Sequence, residues 1–513
     1  MSDVTRLAAE LGDWRARGGA GVADRLAGAL ATVIERGRLD GMRLPAERRL
    51  AVELGVSRAT VVHAYARLRE QGLVSSRERS GTVVRAVGRR GRAPGTQLPQ
   101  LQRLLAPDAE HVDLAVAAPP LDELVAGIAV ELGAAAGLVQ PHGYDPQGIP
   151  ALREAIADRL TRDGLDASAD EVLITSGAHE ALSLIAALFV GRGQPVAVDA
   201  PTYPGALELF ERAGGRPTTV AGDAAGMRPD ALARLLARRV VALLYLMPGC
   251  HSPTGGSIAL GRRPALLEVA ARHDLLVVED AALDKLRFDG PLPSLRSLAP
   301  ERVLRVGSLD KLAWAGLRVG WVVGPRATVA RLTALKAARD LGSGILGQLA
   351  ALELLRDVDA LRAARVAQAR SRMEHLRSEL NRRVPEWTIA SPEGGWSLWA
   401  RLPREAGVDG DALSAAAARH GVDVAAGSAH VAPAAVAGAA TSVAGAATSV
   451  AGAATSVAGA ATSVAGAATD DAEAARERAE AVAAVRIAYV APEPTLTEGA
   501  RRLAAAWDEL TAA

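Results

Sequence analysis

A chain of 513 residues, 49% hydrophobic and 23% charged with a net charge of +1, has an ordinary globular composition but exceeds one compact core. Its length fits about three domain-sized units, or one small and one large. The single cysteine, Cys250, excludes an intramolecular disulfide, and the opening MSDVTRLAAELGDWR carries no apolar run beside a basic segment, so a soluble cytoplasmic protein without a signal peptide is expected.

The overall charge hides an asymmetry. Residues 1–92 hold 18 Arg against 10 acidic residues, net +8, and the rest holds 41 basic against 48 acidic residues, net −7. A basic module ahead of an acidic body points to a polyanionic partner for the first part. Within it, VADRLAGALATVIERG, PAERRLAVELG and VSRATVVHAYARLREQG each carry apolar residues at helical spacing and end in glycine. Ser57 is placed to cap the third helix. Two short helices across a glycine turn have the helix-turn-helix shape, and LVSSRERSGTVV supplies two β-prone arms around a polar tip, a wing. Ser57, Arg58 and Thr60 begin the presumed recognition helix, whose first residues reach base edges. Val61, Ala64, Tyr65 and Leu68 read as core. A winged-helix domain over 1–86 and a Gly-, Pro- and Arg-rich linker over 87–110 are expected.

From residue 111 the pattern becomes strand–helix alternation. EVLIT, PVAVDA, VALLYLM, LLVVED and RVLRVGS are apolar runs with helical stretches between most of them, which indicates a mostly parallel sheet buried on both faces. Residues 351–383 read as helical, and GGWSLWARLP and AVRIAYVAP as strands of a smaller second lobe. Between those lies VAGAATS in tandem from Val436 to Thr469. One glycine per copy and one apolar anchor per seven residues argue against a coiled coil, and the run is too weakly apolar for a membrane span. A low-complexity insertion over 431–483 is expected.

In parallel α/β sheets ligands bind beyond the carboxyl ends of the strands. Here EVLIT leads into SGAHEAL, a small-residue turn opening a helix, where unpaired N–H groups make a phosphate site. PVAVDA leads to Tyr203, and LLVVED ends in Asp280. RVLRVGS leads to GSLDKLAWAGLRVGW, with Ser308, Lys311 and Arg318 close together. Lysine occurs only at 285, 311 and 336 in a chain with 59 basic residues, and only lysine can shed its proton and attack a carbonyl. An amine, a strand-end carboxylate, a phosphate turn with an arginine and an aromatic ring describe a pyridoxal 5'-phosphate site with no metal.

The blocks HGYDPQGIPALREAI, TSGAHEAL, DAPTYPG, SPTGG, VVED, GSLDKLAWAGLRVGW and VRIAYV resemble the fold type I (class I/II) aminotransferases, in order. LPAERRLAVELGVSRATVVHAYARLREQGLV and SGTVV resemble the GntR winged helix, and the two together resemble the MocR-type regulators. The resemblance implies an α+β winged helix-turn-helix followed, over 111–513, by an α/β PLP-dependent transferase fold with a large and a smaller lobe. It implies that Lys311 forms the Schiff base and Asp280 partners the pyridinium nitrogen. Gly177, Ala178, Ser308 and Arg318 would bind phosphate, with His179 and Ser252 nearby in the cofactor site. Tyr144 would reach a phosphate across a homodimer, Tyr203 would stack on the ring, and Arg486 would grip an α-carboxylate. Arg48, Arg58, Ser57, Thr60 and the wing tip Ser80–Gly81 would contact double-stranded operator DNA. The implied function is a regulator sensing an amino acid or amine through a Lys311 aldimine, with its transaminase-like domain used as a sensor; a working aminotransferase with an appended DNA-binding module is the alternative. Three departures stand out. Ser252-Pro253-Thr254-Gly255 replaces Asn-Pro-x-Gly, Ala281–Leu283 lack the tyrosine often found after the acid, and Asp310 replaces the serine before the lysine.

Overall fold

Buried apolar side chains divide the chain into two units, with the division after Gln97. The structure is a computed structural model that describes residues 7, 11, 14, 21–35, 44–70, 74–77, 81–84, 111–130, 133, 137–432 and 475–512. Ser80, the 87–110 linker and the whole VAGAATS repeat lie outside the described residues.

In the first unit, α1 (Val22–Glu35), α2 (Glu47–Leu54) and α3 (Arg58–Glu70) precede a hairpin of β1 (Val74–Arg77) and β2 (Gly81–Val84). The turn between α2 and α3 is set by Gly55, whose φ of 60° suits a residue without Cβ. Ser57 caps α3 by accepting from the Thr60 N–H at 3.1 Å. Leu50, Val61, Ala64, Tyr65 and Leu68 form the core with Leu26 and Leu30. The Tyr65 hydroxyl finds its partner in the Pro45 carbonyl at 2.9 Å.

The second unit is built on a seven-stranded sheet. Its elements are β3 (Val172–Thr175), α4 (Ala178–Phe189), β4 (Pro195–Val198), α5 (Pro204–Arg212), β5 (Arg216–Thr219), β6 (Leu244–Leu246), α6 (Arg262–Arg272), β7 (Val277–Asp280), β8 (Val303–Ser308) and β9 (Gly320–Val323). The order is β3-β9-β8-β7-β6-β4-β5. All neighbours run parallel except β9, which is antiparallel to both β8 and β3. The strands β3, β6, β7 and β9 are buried at every position, as a sheet covered on both faces requires.

Helices α7 (Arg326–Asp340), α8 (Ile345–Arg356) and α9 (Val358–Arg383) lead to an antiparallel four-stranded sheet. It comprises β10 (Thr388–Ile389), β11 (Ser397–Arg401), β12 (Ala425–Ala426) and β13 (Ala484–Ala488), in the order β10-β11-β13-β12. Helix α10 (Glu493–Thr511) packs against α9, and its Trp507 makes an edge contact with Trp387, four residues beyond the end of α9. The 431–483 boundaries expected for the insertion are too wide. Val431 and Ala432 are buried, residues 475–482 are helical, and Ala481 is buried. Glu477 accepts from the Gly222 N–H at 2.7 Å, and Arg478 donates to the Ala432 carbonyl. Buried Val431, Ala432 and Ala481 and the bonds of Glu477 and Arg478 make both flanks part of the second unit.

Candidate functional site

The turn after β3 is held from several sides. Thr175 Oγ1 donates to the Gly177 carbonyl at 3.0 Å, and the Ser176 N–H donates to the Glu180 carboxylate. Glu180 also accepts from Lys336, which is fully buried and pairs with Asp340 as well. Lys336 is thereby a structural cation. Gly177, with φ at 93°, starts α4, whose first N–H groups have no partner within the helix. Gly320 of β9 packs its backbone on this turn: a Cβ there would lie 2.6 Å from the Gly177 carbonyl carbon and 2.8 Å from the Ala178 nitrogen. The Arg318 guanidinium donates to the Ser176 carbonyl and, at 3.2 Å, to Asp310 Oδ2. Ser308 Oγ donates to the Val319 carbonyl at 3.2 Å and accepts from the Asp310 N–H at 3.0 Å. Gly177, Ala178, Ser308 and Arg318 are therefore gathered at one helix N-terminus, an arrangement whose N–H groups and guanidinium could receive an anion.

Beside it, Asp280 ends β7 and is only 2% exposed. Tyr245 of β6 donates to its Oδ2 at 2.8 Å and the Ala282 N–H to its Oδ1 at 3.0 Å. Burial raises the Asp280 pKa, while these bonds and the Lys311 cation oppose the rise. Lys311 donates to the Ala117 carbonyl at 2.7 Å. Burial pulls its amine down to about 8, with Arg486 acting in the same direction and Asp310 and Asp280 against it. The Trp396 indole N–H holds the Lys311 carbonyl at 2.9 Å.

Tyr203 precedes α5 and its ring covers Gly205, where a Cβ would come within 2.5 Å of the ring. Burial and then the Asp280 charge push the Tyr203 hydroxyl up to about 12, and Arg486 partly offsets them. Arg486, on β13, is 3% exposed and donates to the Ala115 carbonyl. Burial lowers its pKa to about 10, opposed by Tyr203 and Asp113. His179 lies in the first turn of α4, and burial lowers its pKa below the ordinary histidine value. Ser252 is buried in the loop after β6, next to His251, whose Nδ1 pairs with Thr254 Oγ1 at 2.9 Å. Tyr144 is 56% exposed, with its ring tilted against that of His142 at 5.4 Å, and none of its hydrogen bonds or ring contacts given by the structure is to this group.

Two supporting residues escape the sequence reading. Tyr245 supplies a hydroxyl to Asp280, and its only sequence signal is a polar tip in an apolar run. His430 clamps the loop ahead of Tyr203, its carbonyl accepting from the Thr202 N–H at 2.7 Å and its Nδ1 lying 3.0 Å from the Thr202 carbonyl. An amine that deprotonates near neutrality, a buried carboxylate, an aromatic ring and a glycine-lined anion cradle suit pyridoxal phosphate in kind. Among the described residues no cluster of His, Cys, Asp and Glu could hold a metal, and no helix is long and apolar enough to cross a membrane.

In the first unit, Arg48 in the first turn of α2 and Ser57 and Arg58 at the start of α3 are exposed, and Thr60 in the first turn of α3 is half-buried. Ser57 Oγ and Thr60 Oγ1 pair at 2.8 Å, and Arg58 donates to Glu47 of α2 at 3.2 Å. Gly81 opens β2.

Residues 140–436 match the family model for aminotransferase class I and II, and residues 22–84 that for bacterial regulatory proteins of the gntR family. The uncharacterized HTH-type transcriptional regulator YdfD of Bacillus subtilis is 30% identical over 71% of this chain and 80% of its own length. The HTH-type transcriptional regulator TauR of Rhodobacter capsulatus is 32% identical over 71% and 80%. Among solved structures, LysN of Thermus thermophilus, an alpha-aminoadipate aminotransferase complexed with N-(5'-phosphopyridoxyl)-L-leucine, superposes with a TM-score of 0.65 at 27% identity, covering 80% of this chain and 95% of LysN. The chain belongs to the class I and II aminotransferase family, in the MocR-type group of regulators that carry a GntR winged helix ahead of the aminotransferase-like domain.

Proposed function

We propose that this regulator binds operator DNA through its winged helix and holds pyridoxal phosphate at Lys311, where an amino acid or amine effector is sensed. The observation that carries the reading is the geometry at the strand ends: buried Asp280, held by Tyr245 and the Ala282 N–H at the end of β7, and Lys311 in the loop after β8, with buried Arg486 on β13 and partly buried Tyr203 ahead of α5. When bound, the cofactor supplies an aldehyde that exchanges between amines and a ring that withdraws electrons. Lys311, whose amine burial pulls down to about 8, would provide the attacking amine. Asp280, oriented by Tyr245, keeps a proton on a ring nitrogen, and Tyr203 covers a flat face. Arg486 offers a two-pronged donor to a carboxylate in a water-poor site, which selects amino acids. Gly177, Ala178, Ser308 and Arg318 receive the phosphate, with Tyr144 presented to a second copy of the chain in a cytoplasmic homodimer.

Arg48, Ser57, Arg58, Thr60 and the wing around Ser80–Gly81 would meet DNA phosphates and base edges. The purified protein is expected to show a visible absorption band with pyridoxal phosphate that shifts on adding the effector amine. Lys311→Ala should abolish the band, and a variant that keeps it overturns the assignment. Multiple turnovers with amino-acid and keto-acid mixtures would instead establish a working aminotransferase.

A further inference from the structure

The anion cradle already contains an anion. Asp310 is only 8% exposed, and its Oδ2 occupies the space above Gly177, so that a Cβ added there would meet it at 2.5 Å. The same oxygen accepts from Arg318 at 3.2 Å, and Oδ1 accepts from the Val319 N–H at 3.3 Å. Arg318 adopts a left-handed backbone (φ 54°), and its second guanidinium nitrogen donates to the Ser176 carbonyl. The Ser308 hydroxyl is committed as well, to the Val319 carbonyl and the Asp310 N–H. Three of the groups assigned to a phosphate, namely the space over Gly177, the Arg318 fork and the Ser308 hydroxyl, are thus engaged by the chain itself.

We propose that Asp310 is an internal occupant of the cradle, its carboxylate standing in for a ligand phosphate, so that a phosphorylated ligand binds only in competition with it. This rests on the reading that the cradle takes a phosphate. A carboxylate and a phosphate cannot share Arg318 and the helix N-terminus without like-charge repulsion, so the carboxylate must turn out or take a proton as the phosphate enters. Asp310 therefore acts chiefly on the phosphate end of the ligand, and reaches the Lys311 end only through its charge, with no hydrogen bond to the amine.

The test uses the full chain as wild type, Asp310→Asn and Asp310→Ser, titrated with inorganic phosphate, pyridoxal phosphate and pyridoxal. Asparagine keeps the shape and the acceptor for Val319 but removes the charge. Both variants should bind inorganic phosphate and pyridoxal phosphate about tenfold or more tighter than wild type, with a much smaller change for pyridoxal. Without phosphate, the asparagine variant should melt no lower than wild type, because the cost of burying the Asp310 charge outweighs its pairing with Arg318, and added phosphate should raise the melting point of the variant more than that of wild type. Phosphate and pyridoxal phosphate affinities within about twofold of wild type in both variants, or an equal change for pyridoxal, overturn the proposal. If phosphate binding tightens but no variant develops a visible band with pyridoxal phosphate, Asp310 keeps this role and the cofactor reading falls. If wild type develops the band and neither variant changes affinity, the cofactor reading stands and the Asp310 role falls.

Discussion

Asp199 follows β4, four residues before Tyr203, and burial pushes its carboxyl up to about 7, with Glu477 adding to the rise. The neighbouring His251 Nε2 lies 3.9 Å away and cannot supply a full counter-charge, because burial lowers its own pKa to about 4. The unfolded chain releases the Asp199 proton near pH 4, whereas the folded chain keeps it until near 7. The folded state therefore binds more protons between those values, and stability falls as pH rises through this window. Asp199→Asn should stabilise the protein at pH 8 by up to about 4 kcal/mol, with the gap closing by about pH 4, read from denaturant titrations at both pH values. A pH-independent gap would assign the effect to packing. The same scale separates what is legible in the sequence from what is not. Lys311 stands out because a chain that chooses arginine keeps a lysine there, and Asp280 because an acid ends an apolar run. The Tyr245 bond to Asp280 and the Asp310 bond to Arg318 arise from neighbouring strands or a returning loop, and spacing along the chain carries no sign of them.

At the scale of elements, β9 is inserted antiparallel between β3 and β8, and Gly320 sits where it crosses the start of α4. Gly320→Ala would force a methyl into the Gly177–Ala178 backbone, which cannot yield as a flexible side chain would. It should destabilise by about 1–3 kcal/mol and weaken phosphate binding at the cradle, and unchanged phosphate affinity would show that α4 absorbs the shift. The five short apolar runs, which lead into the site, are legible because strands buried on both faces read as unbroken apolar segments. The edge strand β5 reads Arg-Pro-Thr-Thr and is half-exposed, so it lacks that signature. β9 has the signature over only four residues and follows the lysine loop closely, where its direction depends on sheet order alone. In the winged helix, Glu47 of α2 holds Arg58 at the start of α3 in one exposed position. Arg58→Ala should weaken operator binding by about 1–3 kcal/mol if the guanidinium reads a base, measured against a scrambled site. Equal losses on both sequences would make it a phosphate contact.

For the whole molecule, the decisive feature is that the two units have separate cores. Among the described residues, the cluster around Leu26, Leu50 and Tyr65 includes none beyond Val74, and the clusters around the sheets begin at Val112. A chain whose sequence already shows a change from basic to acidic charge and from helix-turn-helix to strand–helix alternation is expected to fold its two units on their own account. Calorimetry of the full chain should then show two unfolding steps. Leu50→Ala, which empties a fully buried position, should lower only the step of the winged helix, at a cost of about 2–5 kcal/mol. Pyridoxal phosphate should raise only the step of the aminotransferase-like unit, because binding stabilises the unit that holds the ligand. A ligand that raised both steps, or a Leu50→Ala change that lowered both, would mean that the units share their folding free energy, and effector sensing would then reach the DNA-binding unit through stability as well as through position.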